Sequence, residues 1–435
     1  MGSIFAKQMK VVILNKSDST GGAAVVSRRL MEALRREGVD ARMLVCEKLT
    51  DSPFVEVAGN RKTIKNKFLL ERLKIFLNNG FNRNTLFKID TASDGLPLWK
   101  HPRIKEADAI LLNWVNQGML SLKGIKKLLE LKKPVIWTMH DMWCFTGICH
   151  HAATCGNYRN SCGECILLGK KKSPRDLSNK IWKKKNGIYG NSGSFPNLAF
   201  VAVSSWLKKK AEESSLLKRH EVELIPNAFN NSSSGEREKR NKVRILMGAA
   251  RLDDPIKGLE TLKESTRIIK KEYPEISENM EIMMFGNIKD ETLLEAFSLP
   301  VHQLGILKGE EAVKNAYEQA EIVVSASSYE TLPGTLVEAQ AYGCIPVSFD
   351  RGGQRDIIED NSTGFIAQFN DDIYVRARNL AKEIVRAYEI IKNPRRLEDF
   401  RERMKKSIED KFSYPRVANK YISLIEGLRS HQNGT

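Results

Sequence analysis

Short apolar runs of strand length alternate with helical stretches along most of this chain, and that alternation limits the fold more than any other feature. The runs are rich in β-branched residues, and the stretches between them carry apolar residues at helical spacing. Strands that alternate with helices predict a parallel sheet with helices on both faces. The predicted strands begin at Lys10 and at Val243 in the two halves of the chain and recur at 41–45, 108–114, 134–139, 197–203, 222–225, 281–286, 302–307, 321–326 and 345–349.

The length of the chain and its apolar content suit two domains. It has 435 residues, of which 41% are hydrophobic, which is enough for two packed cores. Residues 229–242 are polar and highly charged and are interpreted as a linker. The sequence therefore predicts an N-terminal α/β domain at 9–228, a C-terminal α/β domain at 243–412 and a closing helix at 413–435. The apolar stripe of that helix must pack on one of the two domains.

Residues 321–353 contain a strand, a polar turn, the start of a helix and a second strand. Glu330 lies in the turn, and Glu338 lies inside the helix that begins near Gly334 and Thr335. A helix N-terminus at the end of a strand favours phosphate, and carboxylates accept hydrogen bonds from sugar hydroxyls. The pattern thus predicts a site for a sugar joined to a nucleoside diphosphate. The alternative is a capping box of Thr335 and Glu338 beside a solvated Glu330, against which Pro333 argues.

Three more strand ends carry residues suited to a polar ligand. Gly21 and Gly22 follow the first strand and permit close approach of the backbone, although G-x-G-x-x-G is absent and a plain turn is the alternative. His140 follows the strand at 134–139, a position where a structural hydrogen-bonding role is the alternative to catalysis. Arg251 and Lys257 follow the strand that begins at Val243. Two cations at such a junction suit phosphate, and the alternative is a solvated basic turn.

The chain is strongly basic. Its formal net charge is +17, which predicts an anionic partner: nucleic acid, anionic lipid or a phosphorylated small molecule. Residues 170–185 carry eight Lys or Arg against one acid, and residues 60–80 combine basic residues with an apolar stripe at Leu69, Leu73, Phe76 and Leu77. Both segments suit an anionic membrane surface, and the alternative is a core-facing helix with a solvated basic face.

Neither a membrane span nor a secretory signal is visible in the sequence. No apolar run approaches the ~18 residues that a transmembrane helix needs, and the N-terminus lacks the apolar core of a signal peptide. We therefore expect a cytoplasmic location, with peripheral attachment at the inner face of the membrane. Nucleic acid is not expected as a partner, because the Lys-rich runs contain few aromatic residues.

Five of the seven cysteines lie between Cys144 and Cys165, and the segment 144–165 is interpreted as a Cys-rich insertion. Without a secretory signal such clustering favours metal ligation over disulfides. The spacing predicts a structural zinc site with four thiolates, and His150 and His151 are alternative ligands. Packed, reduced cysteines or an occasional disulfide are the competing interpretation, and Cys144 is expected to be a buried thiol. The predicted zinc ligands are Cys149, Cys155, Cys162 and Cys165.

The segment around Glu330 and Glu338 resembles the E-x7-E signature of retaining glycosyltransferases with the GT-B fold, above all family 4. Ala339, Gly343 and the Gly352–Gly353 pair also fit that pattern, whereas Pro333 stands where many members have glycine. The resemblance implies two Rossmann-like domains that face each other across a cleft. It also implies that the acceptor binds the N-terminal domain, that the nucleotide donor binds the C-terminal domain, and that the closing helix returns to the N-terminal domain.

The same resemblance assigns roles to the candidate residues. Glu338 holds the ribose, Glu330 the donor sugar, and Arg251 and Lys257 the diphosphate. Gly334 and Thr335 at the helix tip, Gly21 and Gly22 contribute to donor binding, and His140 points towards donor sugar and phosphate. No catalytic metal is expected.

The implied function is transfer of a sugar, with retention, from a nucleoside diphosphate sugar to a glycan or a lipid-diphosphate-linked glycan in polysaccharide biosynthesis. Two alternatives remain open from the residues alone. One is a basic, zinc-containing nucleic-acid-binding protein. The other is a sugar-nucleotide epimerase, or an inactive relative, on the same fold.

Overall fold

The computed structural model describes residues 8–230 and 240–433 of the chain. These residues form two compact units. The first unit runs up to Ala228 and includes the segment from Tyr414 onward, and the second unit runs from Phe229 to Ser413. Most of the linker predicted at 229–242 lies outside the described residues.

In the first unit, the described residues form a parallel sheet of seven strands in the order β3-β2-β1-β4-β5-β6-β7. The strands are β1 Lys10–Ser17, β2 Asp40–Glu47, β3 Val55–Val57, β4 Ala109–Leu112, β5 Val135–Met139, β6 Leu198–Ala202 and β7 Val222–Leu224. The helices are α1 Gly22–Arg36, α2 Arg61–Asn78, α3 Pro102–Glu106, α4 Leu122–Leu129, α5 Leu177–Tyr189, α6 Ser205–Glu212 and, after the second unit, α15 Tyr414–Asn433.

In the second unit, the described residues form a parallel sheet of six strands in the order β10-β9-β8-β11-β12-β13. The strands are β8 Val243–Arg251, β9 Met280–Asn287, β10 Val301–Gly305, β11 Ile322–Ser325, β12 Ile345–Phe349 and β13 Phe365–Ala367. The helices are α7 Leu259–Glu272, α8 Pro274–Ser277, α9 Thr292–Glu295, α10 Glu310–Glu318, α11 Gly334–Ala341, α12 Gln354–Ile357, α13 Ile373–Lys392 and α14 Pro394–Phe412.

Both sheets are doubly wound, as the alternation of strands and helices predicted. The strand order reverses between β1 and β4 in the first unit and between β8 and β11 in the second. In open α/β sheets, ligands bind at the carboxyl ends of the strands beside such a reversal. The prediction of two Rossmann-like parallel sheets is therefore confirmed, and the fold itself indicates one edge of each sheet as the place to look for a site.

Helix α15 packs into the core of the first unit. Its buried side chains include Val417, Tyr421 and Ile425, which join the core built on β1, β2 and α1. The Tyr421 hydroxyl also forms a hydrogen bond of 2.8 Å with the hydroxyl of Thr138 in β5. Helix α15 thus completes the apolar core of the first unit.

Candidate active site

In the second unit, a tight turn after β8 is held against the end of β11. Ser328 N donates to the Ile256 carbonyl at 2.8 Å, which joins the two loops. Gly258 ends the turn with φ +73°, and a Cβ there would collide with the Ala326 carbonyl oxygen. Only glycine therefore permits this approach. The turn places Lys257 over the loop that carries Glu330.

Lys257 and Glu330 form an ion pair at the switch point of this sheet, the place between β8 and β11 where the strand order reverses. The Nζ–Oε1 distance is 2.7 Å, and the two side chains are 31% and 19% exposed, so both heads remain open to a ligand. The Glu330 loop is fixed by its backbone: Gly353 N donates to the Glu330 carbonyl at 3.2 Å, and a Cβ on Gly352 would collide with the same oxygen. The lysine has further N–H donors and the carboxylate a further oxygen, so the pair suits a ligand that carries phosphate and hydroxyls.

Helix α11 begins beside this pair without a side-chain cap. Pro333 occupies the N-cap position and Gly334 the first helical position, so the capping box of Thr335 and Glu338 is not formed. Gly334 is exposed and a Cβ there would meet no atom within 4 Å. The positive end of the helix dipole therefore faces outward with room for a phosphate group.

Glu338 is half-buried and held by a residue that sequence reasoning missed. The Tyr317 hydroxyl donates to Glu338 Oε2 at 2.8 Å. Tyr317 is fully buried and stacks on Tyr342 with ring centroids 5.5 Å apart. The packing of the tyrosine thus fixes the orientation of the carboxylate. Nothing in the sequence marks Tyr317 for this role, since it lies on α10 among residues with ordinary helical spacing.

Arg251 lies at the end of β8, and its side chain is 52% exposed. Its Nε donates to Asp253 Oδ1 at 3.2 Å, and this hydrogen bond lowers the pKa of Asp253. A solvated pair of this kind contributes little stability, and the guanidinium is free to exchange its partner for a phosphate. Arg251 is therefore placed beside the turn of Lys257 at the same edge of the sheet.

In the first unit, the loop after β1 exposes backbone at a helix N-terminus. Gly21 has φ +87° and caps α1 without a side-chain hydrogen bond, and a Cβ on Gly21 or Gly22 would meet no atom within 4 Å. The loop is held by Asp18, which is fully buried and accepts from Leu49 N at 2.8 Å and from Thr50 N at 3.0 Å. The two glycines therefore lie on a rigid support with open space above them.

His140 follows β5 and contacts the end of the neighbouring strand β4. Its Nε2 lies 2.7 Å from Oδ1 of Asn113, a residue that the sequence did not single out. Burial lowers the pKa of His140 to about 4, against the opposing effect of the Asp141 charge. The imidazole is therefore neutral near pH 7. Because the amide oxygen of Asn113 accepts from Nε2–H, Nδ1 is the acceptor nitrogen.

A chain of buried charges lies next to His140. His150 contacts two carboxylates, with Nδ1 2.7 Å from Asp141 Oδ2 and Nε2 2.7 Å from Asp90 Oδ2. Asp90 is fully buried and also pairs with Arg72. Burial raises the pKa of Asp141, but the charge and hydrogen bond of His150 outweigh that effect and lower the pKa to about 2. The residue that the sequence offered as a substitute zinc ligand instead joins two acids.

The predicted zinc site is not supported. Within the described residues, which include all four cysteines, no group of three or more His, Cys, Asp and Glu could hold a metal ion. Burial raises the pKa of Cys149 to about 12 and of Cys162 to about 11, so in the absence of a metal both are neutral thiols near pH 7. The four residues predicted as ligands, none of them in a disulfide, are Cys149, Cys155, Cys162 and Cys165.

Hydrogen bonds from the first turn of α5 hold the Cys-rich loop instead of a metal. Asp176 accepts from Cys165 N at 2.8 Å, the Ser178 hydroxyl accepts from Gly163 N at 2.9 Å, and Asn179 donates to the Ser161 carbonyl at 2.9 Å. Cysteine spacing gave no indication of these contacts. The prediction of Cys144 as a packed thiol agrees with its burial, at 3% exposed.

We expect His140 to stay neutral across the physiological range. Because burial holds its pKa at about 4, its imidazole nitrogens should not titrate between about pH 5 and about pH 8 in a nitrogen NMR titration. A midpoint for His140 near 6.5 would contradict the environment described above.

The two doubly wound units, each with polar residues at its switch point, define the GT-B class of fold. A solved structure shares it: the pneumococcal O-GlcNAc transferase GtfA, in complex with UDP and GlcNAc, is 12% identical with a TM-score of 0.64. That match covers 97% of this chain and 99% of the other. At this identity the similarity shows the fold.

The second unit also matches a family. Residues 230–411 match the model of the glycosyl transferases group 1. Glycogen synthase of Thermodesulfovibrio yellowstonii is 33% identical over 124 residues, which is 27% of this chain and 23% of that protein. A second relative, from Campylobacter jejuni, is 26% identical over 235 residues, 51% of this chain and 61% of that protein. Its name is GalNAc-alpha-(1->4)-GalNAc-alpha-(1->3)-diNAcBac-PP-undecaprenol alpha-1,4-N-acetyl-D-galactosaminyltransferase.

The second unit therefore has the sequence of a group 1 glycosyltransferase over residues 230–411, and the chain has the GT-B fold. The alignments span less than two thirds of either curated relative.

Proposed function

We propose that this protein is a retaining glycosyltransferase that moves a sugar from a nucleoside diphosphate sugar to a hydroxyl of a glycan or a lipid-linked glycan. The observation that carries the proposal is the Lys257–Glu330 pair, 2.7 Å apart, beside the uncapped N-terminus of α11. A cation, a helix tip and two carboxylates in one small region match the chemistry of a diphosphate that carries polyols at both ends.

The donor binds the second unit in this proposal. Glu338, held by Tyr317, accepts hydrogen bonds from the ribose hydroxyls, and Glu330 accepts them from the donor sugar. Lys257, Arg251 and the N-terminus of α11 at Gly334 and Thr335 neutralise the charge that develops on the departing diphosphate. Fixed donors of this kind stabilise the transition state without a metal ion, because they need no reorganisation as the bond breaks.

The acceptor binds the first unit. Gly21 and Gly22 keep the donor-binding role that the resemblance implies, with backbone N–H groups that suit a phosphate oxygen. The neutral imidazole of His140 offers a hydrogen-bonding group without a charge. Attack on the same face as the departing diphosphate gives retention. Asn113 is a positioning residue, since its amide fixes which nitrogen of His140 accepts a hydrogen bond.

A panel of sugar nucleotides screened by thermal shift identifies the donor, and turnover of that donor with and without glycan acceptors then tests the proposal. We expect slow donor hydrolysis alone, fast transfer with an acceptor, and a product with the anomeric configuration of the donor by proton NMR. Interconversion of the sugar on the nucleotide would instead identify an epimerase, and binding without any turnover would identify an inactive relative.

The lipid-linked form of the acceptor has separate support from the surface of α2. Within residues 8–230 and 240–433, every helix falls short of the length and apolar character that a membrane crossing requires. Helix α2 nevertheless exposes a row of leucines, and we name this row the α2 ridge: Leu69 at 49%, Leu70 at 44%, Leu73 at 52% and Leu77 at 52% exposed. An exposed apolar row on a chain of net charge +17 fits an anionic bilayer surface.

We expect the protein to sediment with vesicles that contain phosphatidylglycerol at low salt and to release at high salt, because the attraction is partly electrostatic. Leu73→Asp should reduce the bound fraction several-fold, since it puts a charge in the middle of the α2 ridge. Glu130→Gln, at an exposed acid on α4, serves as the control that leaves binding unchanged or slightly stronger. Binding of Leu73→Asp at the wild-type level would exclude the ridge as the contact.

A further inference from the structure

An open cavity of ≈ 630 Å³ lies in the first unit where α2, α4 and α5 come together. Lysines from all three helices line it, and hydroxyl groups lie between them. No acidic side chain is among its lining residues, within the part of the chain that the structure describes. The polar side chains that matter here are Lys74, Lys123, Lys183, Lys184, Ser93 and Ser121.

The charge of this cavity is largely uncompensated. Lys74 pairs with Asp94 at 2.5 Å, just outside the cavity, whereas Lys123, Lys183 and Lys184 are exposed and form no ion pair with another described residue. Like charges that share a small space repel one another, and an anion among them relieves that repulsion. Lysine donates up to three hydrogen bonds and each serine hydroxyl donates one, so the cavity is rich in donors. These features favour a compact, multiply charged anion such as a diphosphate.

The α2 ridge begins at the mouth of the cavity. Leu70 precedes Lys74 by four residues and Leu77 follows it by three, so the three side chains lie side by side on the exposed surface of α2. A ligand with its anionic group among the lysines therefore has an apolar surface directly beside it. A free phosphate would use only the cavity, whereas a lipid phosphate would use the cavity and the ridge together.

We propose that this cavity binds the diphosphate group of the lipid-linked acceptor, with the start of the hydrocarbon chain on the α2 ridge. The assignment of the diphosphate to an acceptor rests on the proposed function, whereas the anion site itself rests on the lysines and hydroxyls alone. The cavity lies wholly in the first unit, at a different place from the donor residues of the second unit. Its role is to hold the part of the acceptor that does not react.

The first test uses inorganic pyrophosphate and calorimetry at low salt. Lys123→Gln combined with Lys184→Gln removes two charges from the cavity, and Lys126→Gln combined with Lys180→Gln removes two exposed charges from the same two helices away from it. Each protein also carries Arg251→Ala and Lys257→Ala, which weaken pyrophosphate binding at the donor site. We expect pyrophosphate to bind more than about tenfold more weakly to the Lys123/Lys184 variant and less than about twofold more weakly to the Lys126/Lys180 variant. The proposal would be overturned if both double variants lost the same pyrophosphate affinity, or if neither lost any.

The second test separates the lipid source from a soluble one. Neutral phosphatidylcholine vesicles with a small fraction of polyprenyl diphosphate should bind the wild type and the Lys126/Lys180 control, but not the Lys123/Lys184 variant. Leu73→Asp should lose vesicle binding and keep pyrophosphate binding. The proposal would be contradicted if the protein bound phosphatidylglycerol vesicles but not the polyprenyl diphosphate vesicles. It would also be contradicted if the Lys123/Lys184 variant still bound polyprenyl diphosphate. Neither test measures sugar transfer, so a failure of the proposed function would appear separately.

Discussion

Lys257→Ala and Glu330→Ala should each lower the rate of sugar transfer by about 10²–10³-fold, the usual cost of removing one preorganised electrostatic contact from a transition state. Both side chains lie in loops and are partly exposed, so the fold should be unaffected. In the proposed function, Lys257 supplies positive charge to the departing diphosphate, and Glu330 fixes the sugar that is transferred. The measurement is the initial rate with the donor and acceptor found in the screen.

The control for this prediction is another lysine that pairs with a glutamate. Lys263 pairs with Glu260 on the exposed side of α7 at 2.5 Å, and Lys263→Ala should leave transfer unchanged. Binding of the nucleoside diphosphate separates the roles: it should weaken in Lys257→Ala and in Arg251→Ala and persist in Glu330→Ala. Wild-type rates in Lys257→Ala or Glu330→Ala would remove these residues from the site. Unchanged diphosphate affinity in Arg251→Ala would remove its assigned role.

Asp90→Asn should cost the first unit about 3–5 kcal/mol of stability, as expected when one partner of a buried ion pair is removed. Asp90 is fully buried and accepts from both Arg72 and His150. The amide carries no charge and accepts through one oxygen only, so either Arg72 or His150 loses its carboxylate partner in a buried environment. The measurement is the free energy of unfolding from urea denaturation, with the unfolding of the first unit followed by the fluorescence of its buried tryptophans.

An exposed pair provides the comparison. Glu130 pairs with Lys127 at 2.6 Å on the surface of α4, and Glu130→Gln should give no measurable change because solvent screens such pairs. If Asp90→Asn were as stable as the Glu130 variant, the buried charges would not hold this part of the unit together. If Asp90→Asn stays folded at low temperature, the nitrogen NMR titration of His140 in that variant would show whether its environment depends on the charges beside it.

The sequence identified most strands but not all of them. Every predicted strand is present, within a few residues of its expected ends, because most of them are apolar runs of strand length between turn signals. Val55–Val57 and Phe365–Ala367 were missed, since three residues are too few to show a period. The polar residues at strand ends were also visible as candidates, because the carboxyl end of a strand is a local feature of the sequence.

The sequence did not reveal which residues contact these candidate site residues in the fold. Lys257 and Glu330 are 73 residues apart in the chain, and their ion pair exists because β8 and β11 are neighbours in the sheet. Helix packing likewise brings Tyr317 to Glu338. Strand order brings Asn113 to His140. The cysteine spacing suggested a metal that the structure does not support, because hydrogen bonds from α5 hold that loop.

The sequence by itself determined the elements of this protein, their alternation and the junctions where polar residues gather, since hydrophobic period and turn chemistry act over a few residues. The tertiary structure decided which side chains meet. His150 shows the difference most clearly: its two carboxylates come from positions 9 and 60 residues away along the chain. A buried charge takes the partner that the packed fold brings to it, and strand order, which no local pattern encodes, sets that choice.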